Sequence, residues 1–285
     1  MKIFITGADG ALGKEMQQVL HKNSINYVTS DLNQLDIADF KKTNETLLKH
    51  RPDIILHFAA ISNVDYCEEN KDLAFHVNAL GTYGLAIIAK KINAKILYIS
   101  TNYVFDGSQE KPYLEHNASA PINEYGKTKL IGENYIKDLC TRHFIVRTSW
   151  LFGKGSKNYI PKFIADDKKS VSINVICDQF ASFTYTLDLA EAILLLLKSE
   201  NYGTYHLTNR GVGSWLDFGL KAKELMKFKT ELNPIKVKEL NLPALRPRFA
   251  PLASKNFEFF FKQNLGSWED GLTEYIKSIQ KWRTK

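Results

Sequence analysis

Cysteine is scarce in this 285-residue chain: Cys67, Cys140 and Cys177 are odd in number and show no CxxC spacing. That usage argues against a disulfide framework and against a zinc site, and it fits a reducing cytoplasm. Long apolar runs are missing too. The longest, Ala192 to Leu197, lies between Glu191 and Lys198 and is far short of the roughly 18 residues of a membrane span. It reads as part of a core helix, and no membrane association is expected. The opening MKIFITG enters a strand after one lysine, without an extended apolar region or a cleavage site, so no leader is expected. Repeats and low-complexity linkers are absent as well.

What is present is an ordinary globular composition, 44% hydrophobic and 24% charged, which excludes disorder and collagen-like structure. The net charge of +7 raises the question of nucleic acid, because clustered cations neutralise phosphates. Here the basic pairs Lys41-Lys42, Lys90-Lys91 and Lys168-Lys169 are far apart and acids are interspersed. A solvated basic surface is expected, at most helping to collect a small anion.

Strand and helix patterns alternate along the first half. Strand-like runs cover Lys2 to Thr6, Ile25 to Ser30, Asp53 to His57, Lys95 to Ser100 and His143 to Ser149. Helical spacing covers Ala11 to Lys22, Ile37 to His50, Lys71 to Ile92 and Asn123 to Leu139. Strands separated by helices imply parallel pairing with right-handed crossovers. The expected fold is therefore α/β, a Rossmann-like doubly wound parallel sheet. After about residue 150 the rhythm loosens around Gly153, Gly155, Pro161, Gly203, Gly211 and Gly213. Helices over Asp188 to Lys198 and Ser214 to Phe228 precede a Pro-rich passage, Asn233 to Pro251. This part is expected to be a smaller mixed α/β domain for substrate. The division expected is 1–180 for the cofactor sheet and 181–285 mainly for substrate, with chain exchange around 149–200.

Gly7-Ala8-Asp9-Gly10-Ala11-Leu12-Gly13 follows the first strand and opens the first helix. Gly7 permits a tight turn, Gly10 lets backbone N–H groups approach a pyrophosphate, and Gly13 lets the helix pack closely on the strand. The strand-loop-helix context distinguishes it from a chance glycine triplet. Asp31 ends the second strand, where an acid accepts bonds from an adenine ribose; the alternative is a simple turn acid. The cofactor is expected to be NADPH or NADH.

Tyr125 and Lys129 are four residues apart in a helical stretch and share one face. A nearby ammonium favours phenolate and makes the tyrosine a usable general acid for a ketone oxygen. Upstream, Ser100-Thr101-Asn102-Tyr103-Val104-Phe105-Asp106-Gly107 ends the fourth strand. Thr101 there stands at the sheet's carboxyl edge, able to share the substrate oxygen with Tyr125. Trp150 follows the fifth strand and reads as either a cleft residue or a core aromatic. Arg246 and Arg248 read as diphosphate ligands or exposed turn residues, and His57 and His76 as core histidines. No cluster of His, Asp and Glu has metal spacing.

With the glycine loop, Leu35-Asp36-Ile37, Phe58 to Asp65, Val77-Asn78, STNYVFDG, YGKTK with Gly132-Glu133, Arg147 to Gly153, Asp178-Gln179 and Arg246-Pro247, the chain resembles the dTDP-4-dehydrorhamnose reductase family. That family belongs to the extended short-chain dehydrogenase/reductase superfamily, and the resemblance covers nearly the whole length. It implies that Gly7, Gly10, Ala11, Leu12 and Gly13 bind the pyrophosphate, and that Asp31, Asp36 and Ile37 meet the adenosine half. It also places Ala60, Ile61, Ser62 and Ile99 beside the ribose and nicotinamide, where Lys129 reaches the ribose. Thr101, Asn102, Trp150 and Arg246 would contact the sugar nucleotide, and Tyr125 would donate the proton.

The implied reaction is NAD(P)H-dependent reduction of the C4 ketone of a nucleotide-linked 6-deoxy-4-keto sugar, with dTDP-4-dehydro-β-L-rhamnose giving dTDP-L-rhamnose. A homodimer in the cytoplasm is the expected assembly and setting. Two alternatives remain: another nucleotide-sugar epimerase or reductase of the extended superfamily, and a non-catalytic regulatory subunit like that of methionine adenosyltransferase. Three departures from the family pattern stand out. Asn102 replaces the usual Asp, residues 178–184 lack the usual Gly and Pro, and Leu245 and Ala250 replace an Arg and a Ser.

Overall fold

The computed structural model describes residues 1–156 and 172–283, so Pro161 and the Lys168-Lys169 pair lie outside the described residues. Six parallel strands form one sheet: β1 (Lys2–Thr6), β2 (Asn26–Ser30), β3 (Ile54–His57), β4 (Lys95–Thr101), β5 (His143–Thr148) and β9 (Gly203–His206). Their order is β2-β1-β3-β4-β5-β9. The chain reverses direction across the sheet at β1 and β3, and ligands of doubly wound folds bind in the crevice at such a point. Strands β1, β3 and β4 read as continuous apolar runs because helices cover both faces.

One face carries α1 (Ala11–Lys22) and α6 (Thr186–Leu197). Leu12, Met16, Val19 and Leu20 pack there with Leu189, Ile193, Leu196 and Leu197 around Ile3, Ile5 and Leu56. The Ala192 to Leu197 run is thus core helix. The other face carries α2 (Phe40–His50), α4 (Lys71–Ile92) and α5 (Glu124–Leu139). Leu47, Leu85, Ile88 and Ile136 cover Phe4, Ile55 and Ile96 there. Fully burying each such side chain is worth about 1.5–3 kcal/mol.

Three local features depart from the periodicity. The helix expected from Ile37 begins at Phe40, because Asp36 accepts the Ala38 amide at 2.9 Å and Asp39 caps the Lys42 amide at 3.0 Å. Side chains of this kind compete with helix geometry and stop it. The helix α4 is continuous but contains a π-helical turn, Phe75–Leu80. His76 on that turn is exposed, so it is not a core histidine, whereas His57 is buried between the Thr6 and Thr82 hydroxyls at 2.9 Å each. Three helices lie outside the expected runs: α3 (Val64–Glu69), α8 (Lys255–Phe261) and α9 (Trp268–Arg283), the last although Trp268, Leu272, Tyr275, Ile276 and Ile279 recur at helical spacing.

A second, aromatic-rich core joins Phe152, Phe183, Tyr185, Phe218, Trp268 and Leu272. It involves β6 (Leu151–Phe152), β8 (Thr184–Tyr185), α7 (Trp215–Met226) and α9, with β7 (Ile173–Ile176) pairing β10 (Leu232–Ile235) alongside. Ser214 and Asp217 close a capping box at the start of α7. The chain crosses back into the large sheet between these pieces, since α6 and β9 lie beyond residue 180. A smaller cluster, Val104, Phe105, Tyr113, Ala250 and Leu252, ties the segment after β4 to the C-terminal passage.

Candidate active site

Gly7 sits at φ +69°, and a methyl on it would lie 2.6 Å from the Ala59 nitrogen, so both backbone and space demand glycine. A methyl on Gly13 would lie 2.5 Å from the Gly7 carbonyl. Gly10 is the N-cap of α1 and makes no side-chain cap, and the first turn contains no acid. The amides of that turn are therefore available to an anion, in the favourable field of the helix end. This cradle fits a dinucleotide pyrophosphate. Leu12 is buried in the core, so it faces this cradle only through its backbone.

Asp31 follows β2 immediately and accepts the Gln34 amide at 3.1 Å. The adjoining Ser30 carbonyl holds the Ala8 amide at 3.2 Å, which puts Asp31 beside the glycine loop. Asp36 is exposed, while Ile37 is a core residue against Gly81. Across the crevice, the segment Ala60 to Ser62 is clamped by Asn78, a residue without a site role in the sequence reading. Asn78 accepts the Ile61 amide at 2.8 Å and donates to the Ile61 carbonyl at 3.0 Å and the Thr128 hydroxyl at 3.2 Å. It lies in the π turn of α4, the kind of local distortion often found at functional sites. Ile99 is partly exposed on β4 nearby in the chain to Thr101.

Asn123 caps α5 through the Gly126 amide at 2.8 Å and starts the helix that presents Tyr125 and Lys129. The Thr101 hydroxyl lies beside the Tyr125 phenol. Burial lifts the Tyr125 phenol well above its ordinary range, and the neighbouring Thr101 hydroxyl pulls it back only in part. A phenol so placed holds its proton until an oxygen of higher basicity develops beside it. Lys129 is 2% exposed, with its Nζ 4.0 Å from the centre of the Tyr98 ring. Burial pushes its ammonium down to about 7, opposed by the Glu133 carboxylate and by Cys67. Tyr103, also unassigned by sequence, meets Tyr125 edge-on at 6.1 Å.

Beyond β5, Trp150 takes φ +38° and stacks on Trp215 at 4.6 Å and against Phe183 at 5.0 Å. A bulky residue in that region is strained, a condition concentrated at functional sites. Trp150 and Arg246 both lie near the Tyr103 phenol. Arg246 is neither a free cation nor an exposed turn residue: it donates to Asp65 at 2.6 Å and to the Ala244 carbonyl at 2.9 Å. Asp65 also accepts the Ala244 amide at 3.2 Å. Asn102 is 2% exposed, accepts the Thr101 hydroxyl at 3.3 Å and donates to the Ala250 carbonyl at 3.1 Å. A carboxylate at position 102 has no proton to give that carbonyl, so the amide suits this chain's C-terminal passage.

The arrangement is thus a glycine-lined anion cradle, a crevice floor held by Asn78, a Thr101–Tyr125 pair with Lys129 behind it, and an aromatic and arginine wall from the C-terminal part. Comparison with known proteins identifies the family. The spore coat polysaccharide biosynthesis protein SpsK of Bacillus subtilis is 32% identical over 276 residues, covering 97% of each chain. A crystal structure of a dTDP-4-dehydrorhamnose reductase from Clostridium acetobutylicum is 38% identical, with a TM-score of 0.95 over 98% of this chain and 100% of that one. A dTDP-4-dehydrorhamnose reductase from Bacillus anthracis, solved in complex with NADP, is 36% identical with a TM-score of 0.94, covering 97% and 99%. The RmlD substrate binding domain family model matches residues 1–281, and the chain belongs to that family.

Proposed function

We propose that this chain is an NAD(P)H-dependent reductase of the C4 ketone of a dTDP-linked 4-keto-6-deoxy sugar, with dTDP-4-dehydro-β-L-rhamnose its substrate and dTDP-L-rhamnose its product. The observation that carries this reading is the juxtaposition of Thr101 and the buried Tyr125 phenol, with Lys129 one turn further along α5, at the carboxyl edge of a sheet whose first loop is an anion cradle. The named relatives in Clostridium acetobutylicum and Bacillus anthracis support the substrate class.

Gly7, Gly10, Gly13 and the backbone of Ala11 and Leu12 would hold the cofactor pyrophosphate, and Asp31 the adenine ribose, with Asp36 and Ile37 shaping that end. Ala60, Ile61, Ser62 and Ile99 would border the nicotinamide. When bound, the reduced nicotinamide supplies a hydride to the sugar carbon. Tyr125 then donates its phenolic proton to the sugar oxygen, and Thr101 holds that oxygen and the phenol in register. Lys129 offsets the negative charge that develops on Tyr125 and reaches the ribose hydroxyls. Fixed donors of this kind lower the barrier because they need no reorganisation during the step. Trp150, Arg246 and Asn102 shape the sugar-nucleotide side, Asn102 mainly by holding residue 250. In this division the large sheet, including α6 and β9, serves the cofactor, and the aromatic second core serves the substrate. A cytoplasmic homodimer completes the proposal; free Cys67, Cys140 and Cys177 suit a reducing setting.

The test is NADH and NADPH oxidation against dTDP-, GDP- and UDP-linked 4-keto sugars. The dTDP sugar should be turned over fastest; preference for a GDP or UDP sugar would overturn the substrate assignment. Asp31→Ala should weaken NADH about tenfold, roughly 1.4 kcal/mol, while leaving NADPH nearly unchanged in fluorescence titrations. An equal loss for both cofactors would remove Asp31 from the ribose. Asp65→Asn should loosen Arg246 and raise KM for the nucleotide sugar several-fold with kcat little altered, the signature of lost uniform binding. An unchanged KM would separate the Asp65–Arg246 pair from substrate binding.

A further inference from the structure

Behind Lys129, on the side away from the crevice, lies a buried ion pair that the proposed chemistry does not use. Glu133 is fully buried, and the Arg147 side chain is 3% exposed. Glu133 stands one turn beyond Lys129 and two beyond Tyr125, on the same face of α5. Its Oε1 accepts the Ser100 hydroxyl at 2.6 Å and the Arg147 Nε at 2.8 Å, and its Oε2 accepts Arg147 Nη2 at 2.7 Å. Ser100 and Arg147 are register partners on β4 and β5, and the next pair is Thr101 and Thr148. A single carboxylate therefore joins the helix carrying Tyr125 and Lys129 to the strand carrying Thr101 and to the strand leading to Trp150.

Arg147 extends the connection. It donates to the Glu115 carbonyl and the Ser119 hydroxyl at 3.3 Å each, in the loop before α5, and packs 5.1 Å from the Phe105 ring centre. A buried forked pair with its hydrogen bonds satisfied is poor evidence for stability, since apolar residues often replace such pairs without loss. Its directional bonds instead specify one geometry.

We propose that Glu133, locked by Arg147 and Ser100, is a positioning residue for the reduction: it fixes α5 against β4 so that Tyr125 meets Thr101, and it keeps Lys129 in its cationic form. The second part follows from the surroundings of Lys129. Facing it are His57 on β3, Cys67 on α3, Tyr98 on β4, and Tyr125 and Glu133 on α5, with Arg147 of β5 behind Glu133. Among these, Glu133 is the group held as an anion: burial opposes its charge, but the bonds and charge of Arg147, the Ser100 hydroxyl and the Lys137 ammonium 3.4 Å from Oε2 keep its carboxyl below the usual range. Lys129 loses its proton as pH rises, so removing the Glu133 charge shifts that loss to lower pH.

This proposal rests on the reductase reading, and one of its tests is independent of turnover. In Glu133→Gln, kcat should fall tenfold or more, the alkaline limb of the pH profile should move about one pH unit lower, and KM for the nucleotide sugar should stay within about twofold. In the substrate-free protein, the titration of the Lys129 Cε resonance should move in the same direction. Glu133→Gln/Arg147→Met, which removes both buried charges and leaves the half-exposed Lys137, should recover part of that shift while kcat stays low. Arg147→Lys keeps the charge without the fork and should lower kcat with a smaller change in the limb. A Lys129 titration and pH profile unmoved in all three variants, with only the melting temperature altered, would overturn the proposal. If the wild type reduced none of the sugars, the reaction assignment would fail, and the Lys129 titration would still decide the electrostatic part.

Discussion

Tyr125→Phe should abolish most of the reduction, by roughly 10²–10⁴-fold in kcat, while NADPH affinity changes by no more than a few-fold. The phenol stands beside the Thr101 hydroxyl, and burial keeps it protonated until charge develops on the sugar oxygen. Phenylalanine keeps the ring and its edge-on contact with Tyr103, so packing and the cofactor cradle are conserved while the proton is gone. Steady-state rates with NADPH and a dTDP-4-keto sugar, together with cofactor fluorescence titration, measure both quantities. Retention of most of the activity would falsify the role of Tyr125 as proton donor.

Gly126→Ala should be nearly as damaging, although it introduces the residue with the best helix propensity. Gly126 follows Tyr125 in the first turn of α5, and an added methyl would fall well inside van der Waals contact with the Tyr103 carbonyl. That carbonyl belongs to the short helical turn after Thr101, so relief requires α5 and β4 to separate. Overpacking of this sort costs about 1–3 kcal/mol, and the displacement acts on the placement of Tyr125 beside Thr101 itself. Misplacement on the scale of an ångström can cost about 10²-fold in rate. A loss of about that size in kcat is expected, with the melting temperature lowered and cofactor binding retained. A stabilised, fully active variant, as propensity alone would give, would show that α5 and β4 need not be so close.

Much of the N-terminal half was legible because its signals are local. The bounds of β1 and α1 coincide with the apolar periodicity, and the glycines of the first loop meet steric demands within their own strand-loop-helix unit. Tyr125 and Lys129 were legible for the same reason, one turn apart on one helix. The pairs that hold the site together were not. Asp65 and Arg246 are 181 residues apart in sequence, and Asn102 bonds across 148 residues to Ala250. Periodicity carries no information about such partners. The clamp formed by Asn78 depends on a π turn that no apolar spacing announces, and the early start expected for α2 overlooked the competing bonds of Asp36 and Asp39. The sixth strand, Gly203 to His206, was missed because its four residues are flanked by irregular chain.

Two of the family departures acquire a physical reason in the structure. Asn102 donates a proton that an aspartate lacks, and its acceptor is the backbone of Ala250. Leu245 is exposed, but its carbonyl accepts the Asn123 side chain at 2.8 Å, so residue 245 contributes to the α5 cap whatever its side chain. The altered sequence over 178–184 still pairs through its backbone, Phe180 with Arg248 and Ala250 and Ala181 with Gly213.

The central claim is that hydride passes to a sugar C4 while Tyr125 supplies the proton, and isotope transfer measures it directly. With NADPH carrying deuterium at the transferred position and a dTDP-4-keto-6-deoxy sugar, product NMR should show one deuterium at C4 of a dTDP-linked 6-deoxyhexose, with equimolar NADP formed. Tyr125→Phe should form that product at a rate lower by orders of magnitude. Cofactor binding without oxidation, or a sugar altered with no deuterium at C4, would contradict it.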